Sequence, residues 1–166
     1  MPTIEPATAA DAPALARVFV RCWRDAYPGV VPDRILEGLD PGDERRRWEE
    51  LVAAHRVLVA RTDGDVVGMV RFGPDEENPE RGHVFSLYVD PAASGAGLGR
   101  ALLGRACEEL SAGGFGHATL WVFAGNERGL RFYRSAGWAP NGRTRVEPEW
   151  EALELQLGID FAQTHE

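Results

Sequence analysis

Three glycines at alternate positions, Gly95, Gly97 and Gly99, stand between a β-branched, aromatic run and an apolar-periodic one in Leu87-Tyr-Val-Asp-Pro-Ala-Ala-Ser-Gly-Ala-Gly-Leu-Gly-Arg100. Glycine lets a backbone amide come close to a charged group, and the first helical turn adds unpaired N–H groups and the positive end of its dipole. Together they make a cradle for a pyrophosphate; the same glycines, read without context, also fit a flexible turn. Two other cradles are excluded. A P-loop needs a lysine, and all 18 basic residues here are arginine. The dinucleotide fingerprint GxGxxG fails because Arg100 stands where its last glycine belongs.

A second segment bears chemistry as well. Leu120-Trp-Val-Phe-Ala-Gly-Asn126-Glu-Arg-Gly-Leu-Arg-Phe-Tyr133-Arg-Ser-Ala-Gly137-Trp138 reads as a strand, a polar turn and a helix that carries a phenol. His83 opens the strand before the glycine loop, and its unperturbed pKa of about 6.5 suits proton removal near neutrality.

The two segments, in this order, resemble the cofactor motifs of the GNAT family of N-acetyltransferases. The family's loop, [QR]-x-x-G-x-[GA], is similar to Ser94-Gly95-Ala96-Gly97-Leu98-Gly99, with Ser94 in place of Gln or Arg and Arg100 as the candidate to compensate. The second motif, N-x-x-A-x-x-[FL]-Y-x-x-x-G-[FW], is matched from Asn126 to Trp138, with Gly129 replacing the usual alanine. Trp23-Arg-Asp-Ala-Tyr27-Pro-Gly-Val-Val-Pro32 resembles the segment between the first helices that helps form the amine pocket in many bacterial members. The likeness spans roughly residues 3 to 157.

The resemblance implies acetyl-CoA as cosubstrate and no metal. It implies that backbone groups of Leu87, Tyr88 and Val89 hold the pantetheine, that the amides of Gly95, Ala96, Gly97, Leu98, Gly99 and Arg100 hold the pyrophosphate, and that Asn126 reaches the pantetheine arm. Tyr133 aligns with the tyrosine that protonates the leaving sulfur. His83 stands where relatives carry Glu and is the candidate base, with an ordered-water relay as the alternative. Trp23, Asp25 and Tyr27 are candidate acceptor contacts. The implied reaction is acetyl transfer to a primary amine, small-molecule or peptide; the alternative is a sensor that binds acyl-CoA without consuming it. The resemblance leaves the oligomeric state open; family members are often dimers, and a homodimer with its contact through the C-terminal strands is one assembly it allows.

These residues need a scaffold, and the periodicities outline one. A strand is expected at Thr3 to Ala7, then a capping-box pattern, Thr8-Ala-Ala-Asp11, and a helix with Leu15, Val18, Phe19, Cys22, Trp23 and Ala26 on one face. Helical spacing recurs over Pro32 to Leu39 and Asp43 to Ala54; Arg45-Arg46-Arg47 in the latter is expected to be a solvated face. Val57 to Ala60 and Val66 to Phe72, joined by Asp63-Gly64, predict a β-hairpin. Strands are expected at His83 to Val89 and Ala118 to Phe123, helices from Leu98 to Leu110 and Asn126 to Ala136, and an edge strand at Glu151 to Leu157. The order is that of an α/β (α+β) fold: a mixed, mostly antiparallel sheet of about six or seven strands flanked by about four helices.

At 166 residues the chain suits a single domain. A net charge of −8 argues against nucleic acid, whose binding needs a basic face, and favours a cationic acceptor. No run reaches the roughly 18 apolar residues of a membrane span, and the N-terminus lacks the pattern of a secretory leader, so a cytoplasmic location and no membrane partner are expected. Cys22 and Cys107 read as small buried hydrophobes, and His55, His117 and His165 have no companion ligands for a metal.

Overall fold

The computed structural model describes residues 2–162; His165 lies outside them. Seven strands form one sheet in the order β1-β2-β3-β4-β5-β7-β6. They are β1 (Thr3–Pro6), β2 (Arg56–Thr62), β3 (Asp65–Pro74), β4 (Gly82–Val89), β5 (His117–Phe123), β6 (Ala139–Val146) and β7 (Leu153–Asp160). The helices are α1 (Ala12–Ala26), the single-turn α2 (Asp33–Glu37), α3 (Pro41–Ala54), α4 (Leu98–Ala112) and α5 (Glu127–Ser135). All neighbouring strands are antiparallel except β4 and β5.

Local chemistry accounts for most of the boundaries. The Asp11 carboxylate accepts from the Thr8 backbone N–H at 2.9 Å, the reciprocal half of a capping box, and also takes Arg61 Nη2 at 2.8 Å, clasping the start of α1 to β2. Asp63 and Gly64 both have positive φ, 52° and 84°, as a two-residue hairpin turn requires, and Thr62 pairs with Asp65 across it. α3 begins at Pro41, two residues before the expected start, because proline suits the first helical position and Asp40 caps the turn.

One strand differs from expectation. Glu151 to Leu157 reads as an edge, yet β7 is interior, paired with β5 on one side and β6 on the other; β6 is the edge. The polar residues that suggested exposure, Glu154 and Gln156, are buried and take their partners from β6: Arg145 Nε donates to Glu154 at 2.7 Å and Asn141 Nδ2 to Gln156 at 2.7 Å.

The sheet separates two apolar layers. Alternation along β2 sends Val57 and Val59 toward α1 and α3, where they pack with Leu15, Phe19 and Trp48, and sends Leu58 and Ala60 toward α4, with Leu102 and Ala106. Gly82 permits close packing where β4 meets β5, since a Cβ there would lie 3.0 Å from Leu110. β4 and β5 stay paired for three rungs only, Gly82–Ala118, His83–Thr119 and Val84–Leu120. Beyond them the strands part, leaving the facing backbone edges of Phe85 to Val89 and Trp121 to Phe123 without a strand partner. That split is the origin of the site.

Candidate active site

A cleft of about 550 Å³ runs through the split, from the glycine loop and α5 on one face of the sheet to α1 and α3 on the other. Leu87, Tyr88 and Val89 line its middle, opposite Trp121, Val122 and Phe123. On its other edge this part of β4 is fixed by β3, with Leu87 opposite Val70 and Val89 opposite Gly68. Cys22 Sγ donates to the Val89 carbonyl at 3.1 Å, and Trp23 Nε1 donates to the Tyr88 hydroxyl at 3.0 Å, so α1 is bonded to this wall.

At the loop end, Gly95 and Gly97 have φ of 88° and 79°, a region costly for residues with a Cβ. Gly97 is the N-cap of α4 and offers no side-chain acceptor, so the amides of Leu98, Gly99 and Arg100 precede the first intrahelical bond, Ala101 N–H to Gly97 O. Space around the Cα atoms of Gly95 and Gly97 is open. These residues therefore fit a diphosphate. Ser94 does not replace the missing Gln or Arg: its hydroxyl turns back onto the Pro91 carbonyl at 2.9 Å. Arg100 donates to Ser135 Oγ at 2.9 Å and, among the described residues, has no carboxylate partner. Arg128, which the sequence reading passed over, also borders the cleft.

Asn126 caps α5, its Oδ1 accepting from Gly129 N–H at 2.9 Å, and its Nδ2 is the group left for a ligand. A Cβ at Gly129 would stand 2.8 Å from Asn126 Cγ. Asn126 in this rotamer occupies the space that an alanine Cβ at 129 would take.

His83 is buried, and its Nδ1 lies 2.8 Å from Thr119 Oγ1. Thr119 in turn donates to Asp75 Oδ2 at 3.3 Å, and Asp75 is held by Arg81 Nε at 2.6 Å. With the threonine proton directed at Asp75, its oxygen is the acceptor for a His83 Nδ1–H, which leaves the Nε2 lone pair free. Burial lowers the His83 pKa to about 4, against the pull of Asp75. Burial raises Asp75, but Arg81 and the Glu77 backbone N–H outweigh it and hold the carboxyl below its ordinary range. The ring is neutral at neutral pH, but a pKa near 4 rather than the 6.5 expected from the sequence makes it a weaker base than expected there.

Tyr133 lies on the cleft wall of α5, edge-on to Phe132 at 5.2 Å and to Trp138 at 6.4 Å. Burial, then the neighbouring Tyr88, push its pKa well above the usual phenol value, so it stays protonated. Cys22 also stays protonated, burial raising its pKa to about 12. Cys107 is half-buried. Among the described residues, no group of three His, Cys, Asp or Glu side chains could hold a metal, and no helix is long and apolar enough to cross a membrane.

The far end is aromatic. Trp23 packs against Tyr27 at 4.8 Å and Trp150 at 4.6 Å, and Tyr27 against Phe123 at 4.9 Å. Asp25 is exposed at the rim. The arginine triplet divides: Arg45 and Arg46 are exposed, whereas Arg47 turns in over Phe19 and Trp150, at 5.5 and 5.8 Å. Arg71, on β3, also lines this end. No motif marked Asp75, Thr119 or Arg71; a charged residue inside the otherwise apolar Val66 to Phe72 run was the signal available for Arg71.

Comparison with known proteins agrees with this geometry. A family model described as the acetyltransferase (GNAT) family matches residues 14–138. YuaI of Bacillus subtilis, an uncharacterized N-acetyltransferase, is 30% identical over 138 residues, which cover 81% of this chain and 79% of YuaI. The fold is similar to that of PaiA N-acetyltransferase from Thermoplasma acidophilum in complex with coenzyme A, with a TM-score of 0.83 at 16% identity, covering 97% of this chain and 99% of that one. The ribosomal-protein-alanine N-acetyltransferase of Brucella melitensis gives a TM-score of 0.73 at 26% identity over 96% and 99% of the two chains.

Proposed function

This chain belongs to the GNAT acetyltransferase family and is an acetyl-CoA-dependent acyltransferase, and we propose that it moves the acetyl group to a primary amine by direct attack in a ternary complex. The observation that carries the reading is the continuity of the cleft. Its diphosphate end and its aromatic end meet at the split between β4 and β5, so both substrates reach one point from opposite faces of the sheet. Holding two reactants together is itself a large part of acyl-transfer catalysis.

In this reading the loop amides of residues 95–100 hold the pyrophosphate, the open edge of Leu87 to Val89 aligns the pantetheine as an added strand, and Asn126 Nδ2 donates to it. Trp23, Asp25 and Tyr27 belong to the acceptor end. The amine lone pair attacks the thioester carbon, and a backbone N–H of the β4 edge faces the oxyanion. The C–S bond then breaks. The nitrogen gives up one proton to His83 Nε2, directly or through water, and the sulfur takes one from Tyr133, leaving an amide and the CoA thiol. A covalent route through Cys22 is disfavoured, since that thiol keeps its proton and donates to Val89.

Titration calorimetry with acetyl-CoA and with CoA, followed by thiol-release assays on an amine panel, tests the proposal. Saturable binding with amine-dependent release is expected. Binding without release from any amine would favour the acyl-CoA sensor, and no binding would overturn both.

A further inference from the structure

The acceptor end of the cleft holds hydrogen-bond donors that lack acceptors. Arg71 sits beside the register shift in β3, with its guanidinium 5.0 Å from the Phe85 ring and 5.9 Å from that of Trp48. Its Nε and Nη2 approach Ser86 Oγ at 3.4 and 3.2 Å, and Nη1 approaches His55 Nδ1 at 3.0 Å. A guanidinium has five N–H groups, so one remains on each Nη, the paired geometry that a carboxylate accepts. Both partners are neutral. Burial, then Arg71 itself, lower the His55 pKa, and Glu76 faces His55 Nε2 at 3.6 Å without reaching the arginine. A cation removed from water beside neutral partners is unfavourable until an anion is returned to it.

A second observation is independent of the first. Trp48 is 1% exposed and lies on the same wall, and among the described residues its buried Nε1 has no hydrogen-bond partner. A buried indole N–H ordinarily has one. Arg47, over Phe19 and Trp150 and paired with Glu44 at 3.4 Å, is a second guanidinium whose field acts on Arg71. Acids offset this corner only in part: Glu44 pairs with Arg47 and the Glu76 charge acts on Arg71 from beside His55, while Glu147 and Glu154 are tied to Arg145 at 3.0 and 2.7 Å and Asp25 and Glu149 are exposed, so among the described residues no carboxylate pairs with Arg71.

We propose that the acceptor is a primary amine that also carries a carboxylate, an amino-acid-type molecule with an apolar or aromatic body. Its carboxylate seats on the free edge of Arg71 beside Trp48 Nε1 and Arg47. The inference rests on the transfer reading above and refines it, and it adds a carboxylate to the cationic acceptor that net charge favours.

The test compares amines that differ only in the carboxylate, with acetyl-CoA as donor and thiol release as readout: phenylalanine against phenethylamine, tryptophan against tryptamine, leucine against isopentylamine. The wild-type protein is expected to favour the amino acid in at least one pair by about tenfold or more in kcat/KM. Arg71→Met should bring that ratio near one through KM of the amino acid, and Trp48→Phe, which keeps a ring and removes the N–H, should lower it in the same direction. Equal rates, or preference for the decarboxylated amines, would overturn the inference and leave the transfer reading standing. A wild-type preference that survives both substitutions would remove Arg71 and Trp48 from it. Acetyl-CoA binding with no amine acetylated would overturn the transfer reading and this inference with it. Circular dichroism of each variant, and the wild-type ratios, keep the result independent of a variant that does not fold.

Discussion

His83 and Thr119 face each other across the middle of the three rungs that join β4 to β5, with Nδ1 and Oγ1 2.8 Å apart, just before the strands separate. The proton acceptor proposed for the reaction is thereby fixed by the last stretch of sheet that the cleft leaves intact. Asp75 completes the chain from the loop after β3, at 3.3 Å from the Thr119 hydroxyl.

Thr119→Val should therefore act through His83. The isosteric change removes the acceptor for Nδ1–H and frees the ring to change tautomer. We expect turnover to fall by about tenfold or more with acetyl-CoA affinity unchanged. Single-turnover kinetics beside calorimetry checks it, and equal loss of affinity would indicate damage to the cleft instead.

Stability should depend on pH through the same ring. The folded pKa of about 4 lies below the unfolded value of 6.5, so between these limits the unfolded chain binds more protons and stability rises with pH. The contribution, up to about 3 kcal/mol, is complete above the unfolded value and disappears as pH falls toward 4. Asp75, also depressed, loses its contribution below its own unfolded value, in the same direction. Urea unfolding at neutral pH and near pH 4.5 measures the difference, and His83→Gln should flatten it.

Tyr133→Phe tests the proton donor. The phenol borders the cleft and stays protonated, so its removal should lower turnover by about 10² with little change in acetyl-CoA affinity. Unchanged turnover would exclude Tyr133 from the mechanism.

Two glycines should matter for different reasons. Gly97→Glu places a Cβ at a φ of 79° and a negative charge at the diphosphate end, and should abolish acetyl-CoA binding. Gly129→Ala leaves the loop intact but pushes Asn126 from its cap, which should cost about 1 kcal/mol of stability and weaken acetyl-CoA binding several-fold. Calorimetry and thermal unfolding distinguish the two.

What the sequence determined is what short-range physics encodes. Apolar period and turn chemistry were enough for the Asp63-Gly64 hairpin, the helix that follows the glycine loop and the helix that begins near Asn126, because each depends on residues within a few positions of one another. The glycine spacing and the Asn126 to Trp138 pattern pointed to the cofactor end proposed above for the same reason. The fold alone decided the rest. β7 is interior because β6 closes over Glu154 and Gln156, a long-range pairing that alternation along a single strand cannot reveal. His83, Thr119 and Asp75 come from three separate segments, and Arg47, Trp48 and Arg71 from a helix and a strand, so their proximity exists only once the sheet has formed. Net charge, summed over the whole surface, pointed to a cationic partner, whereas the carboxylate-bearing acceptor proposed above rests on a few desolvated donors at one end of the cleft, where water is excluded and electrostatic interaction is strongest.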